Sequence, residues 1–186
     1  MLLNDAGEHR GPRLPPSRVS SGRPLDARAR LMRTVDYRRI AAPAERVFQA
    51  AVDVEQWPAR LRHYRWVRML ERHDQGGLVE MAAWRPFGPF NYPTWWVSEM
   101  QVDRTGLAVR YRHVRGITTG MDVIWRLRPL EGRTDVTIVH DWAGPGWPLV
   151  GRPAATWIIG PVFIHGIASR TLAGLAKHVE QDPLGE

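Results

Sequence analysis

His113, His140, Tyr64 and Arg85 are the side chains of this 186-residue chain best suited to moving a proton on an organic ligand. An unperturbed imidazole titrates at about 6.5 and serves as a base at neutral pH. A phenol and a guanidinium supply hydrogen-bond donors for an oxygen that gains negative charge. The four stand among aromatic residues, and the stretch from Asp53 to Tyr64 says most about how the two kinds meet. It contains Trp57 just before Pro58, and Tyr64 seven residues after Trp57. Proline disfavours helical geometry in the residue before it, so a break is expected at Trp57. An aromatic at a helix break and another at a strand entrance can line the mouth of a cavity.

Other chemistries find no support. The chain has no cysteine, which excludes disulfides, thiolate zinc sites and a thiol nucleophile. Gly144-Pro145-Gly146 is not a phosphate loop, because no Gly-Lys-Ser/Thr follows and proline removes a donor. No G-x-S-x-G, no H-E-x-x-H and no close carboxylate pair with a helical partner occurs. No metal or cofactor is therefore implied. His63, His73 and His178 are scattered and read as solvated. The formal charge is +7, with Lys177 the one lysine, so the positive charge is nearly all arginine. Such a surface favours acidic partners without choosing among them. No recognition helix or basic stripe with interleaved aromatics is present, which argues against nucleic acid. Trp157 to Ile164 is too short, and too broken by Gly160 and Pro161, to span a bilayer. It reads as a buried lid or a helix start. Residues 1–31 hold Arg, Pro, Gly and Ser without an apolar signal core, and read as a disordered tail, with either Met1 or Met32 as the start. A cytoplasmic protein is expected.

The elements that must position these residues follow from turn chemistry and periodicity. A strand is expected at 33–41. Pro43, at an N1-like position, opens a short helix through Val52. A second short helix or turn covers 55–61. Six strand-like runs follow, at 63–72, 77–85, 92–103, 107–115, 120–130 and 134–143, separated by glycine- and proline-bearing turns. A helix closes the chain over 162–181, with apolar residues that include Ile167, Leu172 and Leu175. One α+β domain over 32–183 results, with a seven-stranded curved antiparallel sheet wrapped on a long C-terminal helix. A gap between sheet and helix is a natural ligand cavity. Strand alternation turns Trp96, Ser98, Met100, Tyr111, His113, Met121, Trp125, His140 and Trp142 inward, with Arg85 joining them if Glu80 faces out. Leu61 and Leu172 complete the candidate ligand wall. Aromatics and two imidazoles on one concave apolar face suit an elongated, flat, oxygenated ligand. Asp141 points to the opposite face from His140 and is a poor orienting partner.

With this order in hand, the chain resembles the START-like, helix-grip superfamily, in its polyketide cyclase/dehydrase and lipid-transport group. Within that group it looks most like the tetracenomycin-type aromatase/cyclases. The residues that carry the resemblance are Asp53-x3-Trp57-Pro58-x5-Tyr64, Leu70, Gly77, Trp96-Val97-Ser98, Arg110-x2-His113-Val114, Trp125, Pro145-Gly146 and the helix around Arg170. The likeness covers about residues 33–181. It implies that Trp57, Tyr64, Trp96 and Trp125 line a cavity and that Ser98 matches a cavity serine. The family's arginine two residues beyond that serine is Met100 here, and a second family arginine falls at His113. The segment 147–164 is longer and more apolar than the family's loop.

The resemblance implies ring closure of a poly-β-ketone. His113 or His140 would be the base, Tyr64 the donor, and Arg85 a stand-in for the missing arginine. Exposed Arg110, Arg112, Arg126 and Arg128 would dock an acidic acyl carrier protein. The other reading is a non-catalytic carrier of a lipid, quinone or polyketide, favoured by Met100 and by the long apolar segment.

Overall fold

The computed structural model describes residues 32–87, 90–143 and 161–181. The tail 1–31, the apolar run up to Gly160 and the last five residues lie outside the described residues, and with them the expectations of disorder and of a lid. The chain begins with β1 (Met32–Ile40), α1 (Ala44–Val52), a 3-10 turn (Val54–Gln56) and α2 (Trp57–Arg60). Six strands follow: β2 (Tyr64–His73), β3 (Gly76–Phe87), β4 (Phe90–Asp103), β5 (Ala108–Gly116), β6 (Asp122–Leu130) and β7 (Arg133–Trp142). The chain's last helix, α3, is Pro161–Gln181.

All seven strands form one sheet in the order β1-β7-β6-β5-β4-β3-β2. Every pairing is antiparallel. From β2 to β7 the sheet is a meander. β1 joins at the far side, where Thr34 lies opposite His140 and Asp36 opposite Ile138. α3 lies over β1, β3 and β7 and meets α1 and α2. It buries Ile167, Ala168, Leu172, Leu175, Ala176 and Val179 against the sheet, a stripe with the spacing expected of a helix covering a core. α1 buries Ala44, Val47, Phe48 and Ala51 in the same way.

Two local expectations need correction. Pro43 is the N-cap of α1, not its first helical residue. Trp57 is helical, with φ −58° and ψ −40°, despite the proline after it. Burial overrides the local preference there: Trp57 is 2% exposed and its indole N–H donates to the Ala50 carbonyl at 3.0 Å. Among the described residues no helix is long and apolar enough to cross a membrane.

The turn from β2 to β3 depends on glycine. Gly76 has φ +138°, and a Cβ there would strike the Met100 carbonyl oxygen on β4. Gly132, in the β6–β7 turn, has φ +62° and open space around it. Gly132→Ala is therefore expected to cost about 1–2 kcal/mol, from the left-handed backbone alone. Gly76→Ala is expected to cost clearly more, because strain and a backbone clash add. Urea unfolding of the two variants checks the order, and equal costs would contradict it.

Candidate functional site

The concave face of the sheet and α3 enclose a cavity lined by Trp57, Tyr64, Arg85, Trp96, Tyr111, His113, Met121, Trp125 and His140. Met81, Val123, Ile138, Ile167, Ala168 and Thr171 complete the wall. The structure thus brings all four candidate catalytic side chains into one space, with five of the candidate ligand-binding ones. Leu61, Ser98, Met100, Trp142 and Leu172 are buried in the surrounding core and do not line it. The cavity measures about 60 Å³, room for about two waters at liquid density. A larger concavity of about 950 Å³ lies beside the β2–β3 turn. It is bounded by exposed side chains such as Asp103, Arg104 and Arg110, and of the candidate catalytic and ligand-binding residues only buried Met100 borders it.

Aromatic contacts set the walls. Trp57 meets Tyr64 edge-on at 5.1 Å and Trp125 at 5.7 Å. Trp96 stacks on the His113 ring at 5.9 Å and 13°. The Asp53–Tyr64 stretch therefore delivers two touching aromatics to the cavity, one from α2 and one from the first residue of β2.

The polar groups sit on opposite sides. On β3, the Arg85 guanidinium is 4% exposed, lies 5.9 Å from the Trp96 ring centre and donates from Nε to Thr94 Oγ1 at 3.3 Å. Burial pulls its pKa down to about 10, so it stays charged at neutral pH. Burial pushes the Tyr64 phenol up to about 12, with Thr171 and Arg85 opposing the shift. Tyr111 is pushed up further, by burial first and then by Tyr64. Both phenols therefore remain protonated donors.

On β5, burial brings the His113 imidazole down to about 3, with His140 and Arg85 adding repulsion. It is neutral at pH 7. Its Nδ1 lies 2.6 Å from Thr118 Oγ1. On β7, His140 Nδ1 lies 3.3 Å from Thr34 Oγ1 and 4.0 Å from Asp36 Oδ2, both on β1. Asp36 is 3% exposed. A separation of 4.0 Å is an electrostatic pairing, longer than a direct hydrogen bond. It favours a proton on Nδ1 and leaves Nε2 for the cavity.

Asp36 is the functional candidate that sequence reasoning missed. Alternation along β1 offers Val35 and Tyr37 as the apolar face, yet they are 55% and 56% exposed. Only the pairing of β1 with β7 places Asp36 inward. Asp141, the acidic neighbour of His140 in sequence, instead holds Arg33 on the outer face at 2.7 Å. His63 also needs correction. It is half-buried rather than solvated, because its Nε2 meets Thr171 Oγ1 of α3 at 3.0 Å. That hydroxyl donates to the Ile167 carbonyl, so it accepts from His63. Burial, helped by Arg170, brings His63 down to about 4. Among the described residues no three His, Asp or Glu side chains gather in a way that could hold a metal ion.

Against this geometry stand the comparisons with known proteins. Residues 40–158, more than half of the chain, match the family described as polyketide cyclase/dehydrase and lipid transport. The chain belongs to that family. The Zhui aromatase/cyclase of Streptomyces sp. R1128 has a similar structure, with TM-score 0.69 and 18% identity over 83% of this chain and 97% of that one. So does the protein TTHA0849 of Thermus thermophilus, with TM-score 0.69 and 20% identity over 80% and 97%. A START superfamily protein of Mycobacterium smegmatis gives TM-score 0.60 at 15% identity over 80% and 97%. No curated protein matches the chain. The fold is the START-like helix grip.

The two depressed imidazoles make stability depend on pH. Below about pH 6.5 the unfolded chain takes up protons that folded His63 and His113 refuse. Their contribution is whole above about pH 6.5 and is lost as pH falls toward the folded values of about 4 and about 3. Unfolding free energy from urea titrations should fall between about pH 6.5 and 5, above the usual carboxylate range. His113→Gln should flatten part of that slope. An unchanged slope would contradict the burial assigned to His113.

Proposed function

We propose that this member of the family is a cofactor-independent aromatase/cyclase. Its substrate would be a carbonyl-rich, enolisable chain, either carrier-tethered or released. The observation that carries the reading is the placement of His140, backed by Asp36, across one desolvated cavity from Arg85 and Tyr64. A carrier of inert hydrophobic cargo gains nothing from buried ionisable groups, each of which costs several kcal/mol to desolvate. Shifted groups in a cavity are the mark of a site that moves protons.

In this reading His140 Nε2 takes a proton from a methylene between two carbonyls. The resulting enolate carbon attacks a ketone carbonyl further along the chain and forms the new carbon–carbon bond. The alkoxide oxygen takes a proton from Tyr64 or Arg85. The imidazolium then returns its proton to that donor. Neutral His140 can now remove the second proton of the attacking carbon while hydroxide leaves as water with a proton from Tyr64 or Arg85, which sets a ring double bond. A final return of the proton from His140 resets both groups. Asp36 holds the imidazolium that forms after the first step. Positioning between the indoles supplies about 7–11 kcal/mol of the barrier, and acid–base help adds about 10²–10⁴-fold. The ring must displace side chains to fit about 60 Å³. Met81 and Met121, both on the wall, are the unbranched residues that repack at least cost. Exposed Arg110 and Arg126 suit an acidic carrier protein.

Met100, where the resemblance expects an arginine, favours the second reading, a carrier of a hydrophobic polyketide. Product analysis separates the two. A reconstituted polyketide system should give a new cyclised aromatic product when this chain is added. His140→Ala should lower kcat by about 10²–10⁴-fold with binding retained. An unchanged product spectrum, together with a hydrophobic molecule that copurifies with the protein, would favour carriage.

A further inference from the structure

Tyr111 carries a hydroxyl that none of the described residues hydrogen-bonds. The residue is 6% exposed and lines the cavity from β5. Its oxygen is buried and has no hydrogen-bond partner among the described residues. Buried hydroxyls in folded proteins are nearly always bonded, so an orphan asks for an explanation. Three other buried aromatic donors are served from within. Trp57 donates to Ala50, Trp142 to the Thr119 carbonyl, and Tyr64 has Thr171.

The surroundings give the chemistry that would serve it. Ser98 is the next inward residue along β4 from Met100, which pairs with Tyr111. Its Oγ is also buried and without a partner among the described residues, in the core behind the wall. This stretch of wall therefore offers the Tyr111 hydroxyl set among Met81, Val123 and Trp125, and none of the described residues that line the cavity is a carboxylate. Such a surface matches a neutral acceptor, a ketone or aldehyde oxygen, attached to an apolar ring or chain.

We infer that the Tyr111 hydroxyl is a specificity-determining donor that selects ligands bearing a carbonyl oxygen at the β5 wall. The inference rests on the cavity being a ligand site and not on ring closure, so it is tested by equilibrium binding alone. In the unliganded protein the hydroxyl then contributes nothing to stability. A purely structural tyrosine would behave in the opposite way.

The experiment compares acetophenone with α-methylstyrene, which differ only by a carbonyl oxygen in place of a methylene. Binding to wild type and Tyr111→Phe is followed by tryptophan fluorescence, since Trp57, Trp96 and Trp125 line the space. Tyr111→Phe should weaken acetophenone about tenfold, as loss of one neutral hydrogen bond allows. Its affinity for α-methylstyrene should change less than about twofold, and its thermal midpoint should be equal or higher. Equal weakening of both probes, no weakening of either, or a lower midpoint would overturn the inference. Failure of both probes to bind wild type would overturn it too. Absence of cyclase turnover with the binding pattern intact would sink only the catalytic reading.

Discussion

Desolvation by α3 is the constraint on which the rest of this structure depends. The helix closes the concave side of a sheet that carries charged and polar side chains inward as well as apolar ones. Arg85, Asp36, His113 and His140 are all less than a tenth exposed. In water these groups would be ordinary. Under α3 they are held in a medium where each interaction is stronger and each isolated charge is costly. The cavity's chemistry, the depressed imidazoles and the protonated phenols are consequences of that closure.

The cost is met by arrangement. The imidazole of His113 stays neutral and pairs its Nδ1 with the Thr118 hydroxyl. His140 shares its Nδ1 side with Thr34 and Asp36. Arg85 lies over an indole and on a threonine hydroxyl. The outer face solves the same problem by pairing: Asp135 takes Arg39, Arg128 and Tyr37, and Asp122 takes Arg112. The exposed Asp122–Arg112 pair adds little energy, while Asp135, 4% exposed, has its charge met by three donors.

Most of the fold was legible because its turns are written in glycine and its strands alternate. The β2–β3 turn at Gly76 and Gly77 and the β6–β7 turn at Gly132 need backbone angles that other residues resist, so they stand out in a bare sequence. Alternation on β4, β5, β6 and β7 placed Trp96, Tyr111, Trp125 and His140 on one face because each strand carries polar residues opposite. It could not say which inward residues meet the open space. Ser98 and Met100 share the face of Trp96, yet they lie in packed core. Asp36 and His63 were illegible for one physical reason. Each is placed by a contact more than a hundred residues away in sequence, Asp36 through the β1–β7 pairing and His63 through Thr171. On β1 the local pattern even points the wrong way, since the apolar Val35 and Tyr37 face out. Trp57 shows the same override at a single residue, where burial of an indole defeats the preference set by Pro58.

Proton abstraction by His140 is the central claim, and a simple diketone can test it without the natural substrate. Deuterium exchange at the methylene of 1-phenylbutane-1,3-dione can be followed by NMR with the wild-type protein and with His140→Ala. The account predicts exchange well above the buffer rate for wild type and a loss of at least about 100-fold in the variant. Exchange at the buffer rate with the diketone bound, or a variant as fast as wild type, would contradict it.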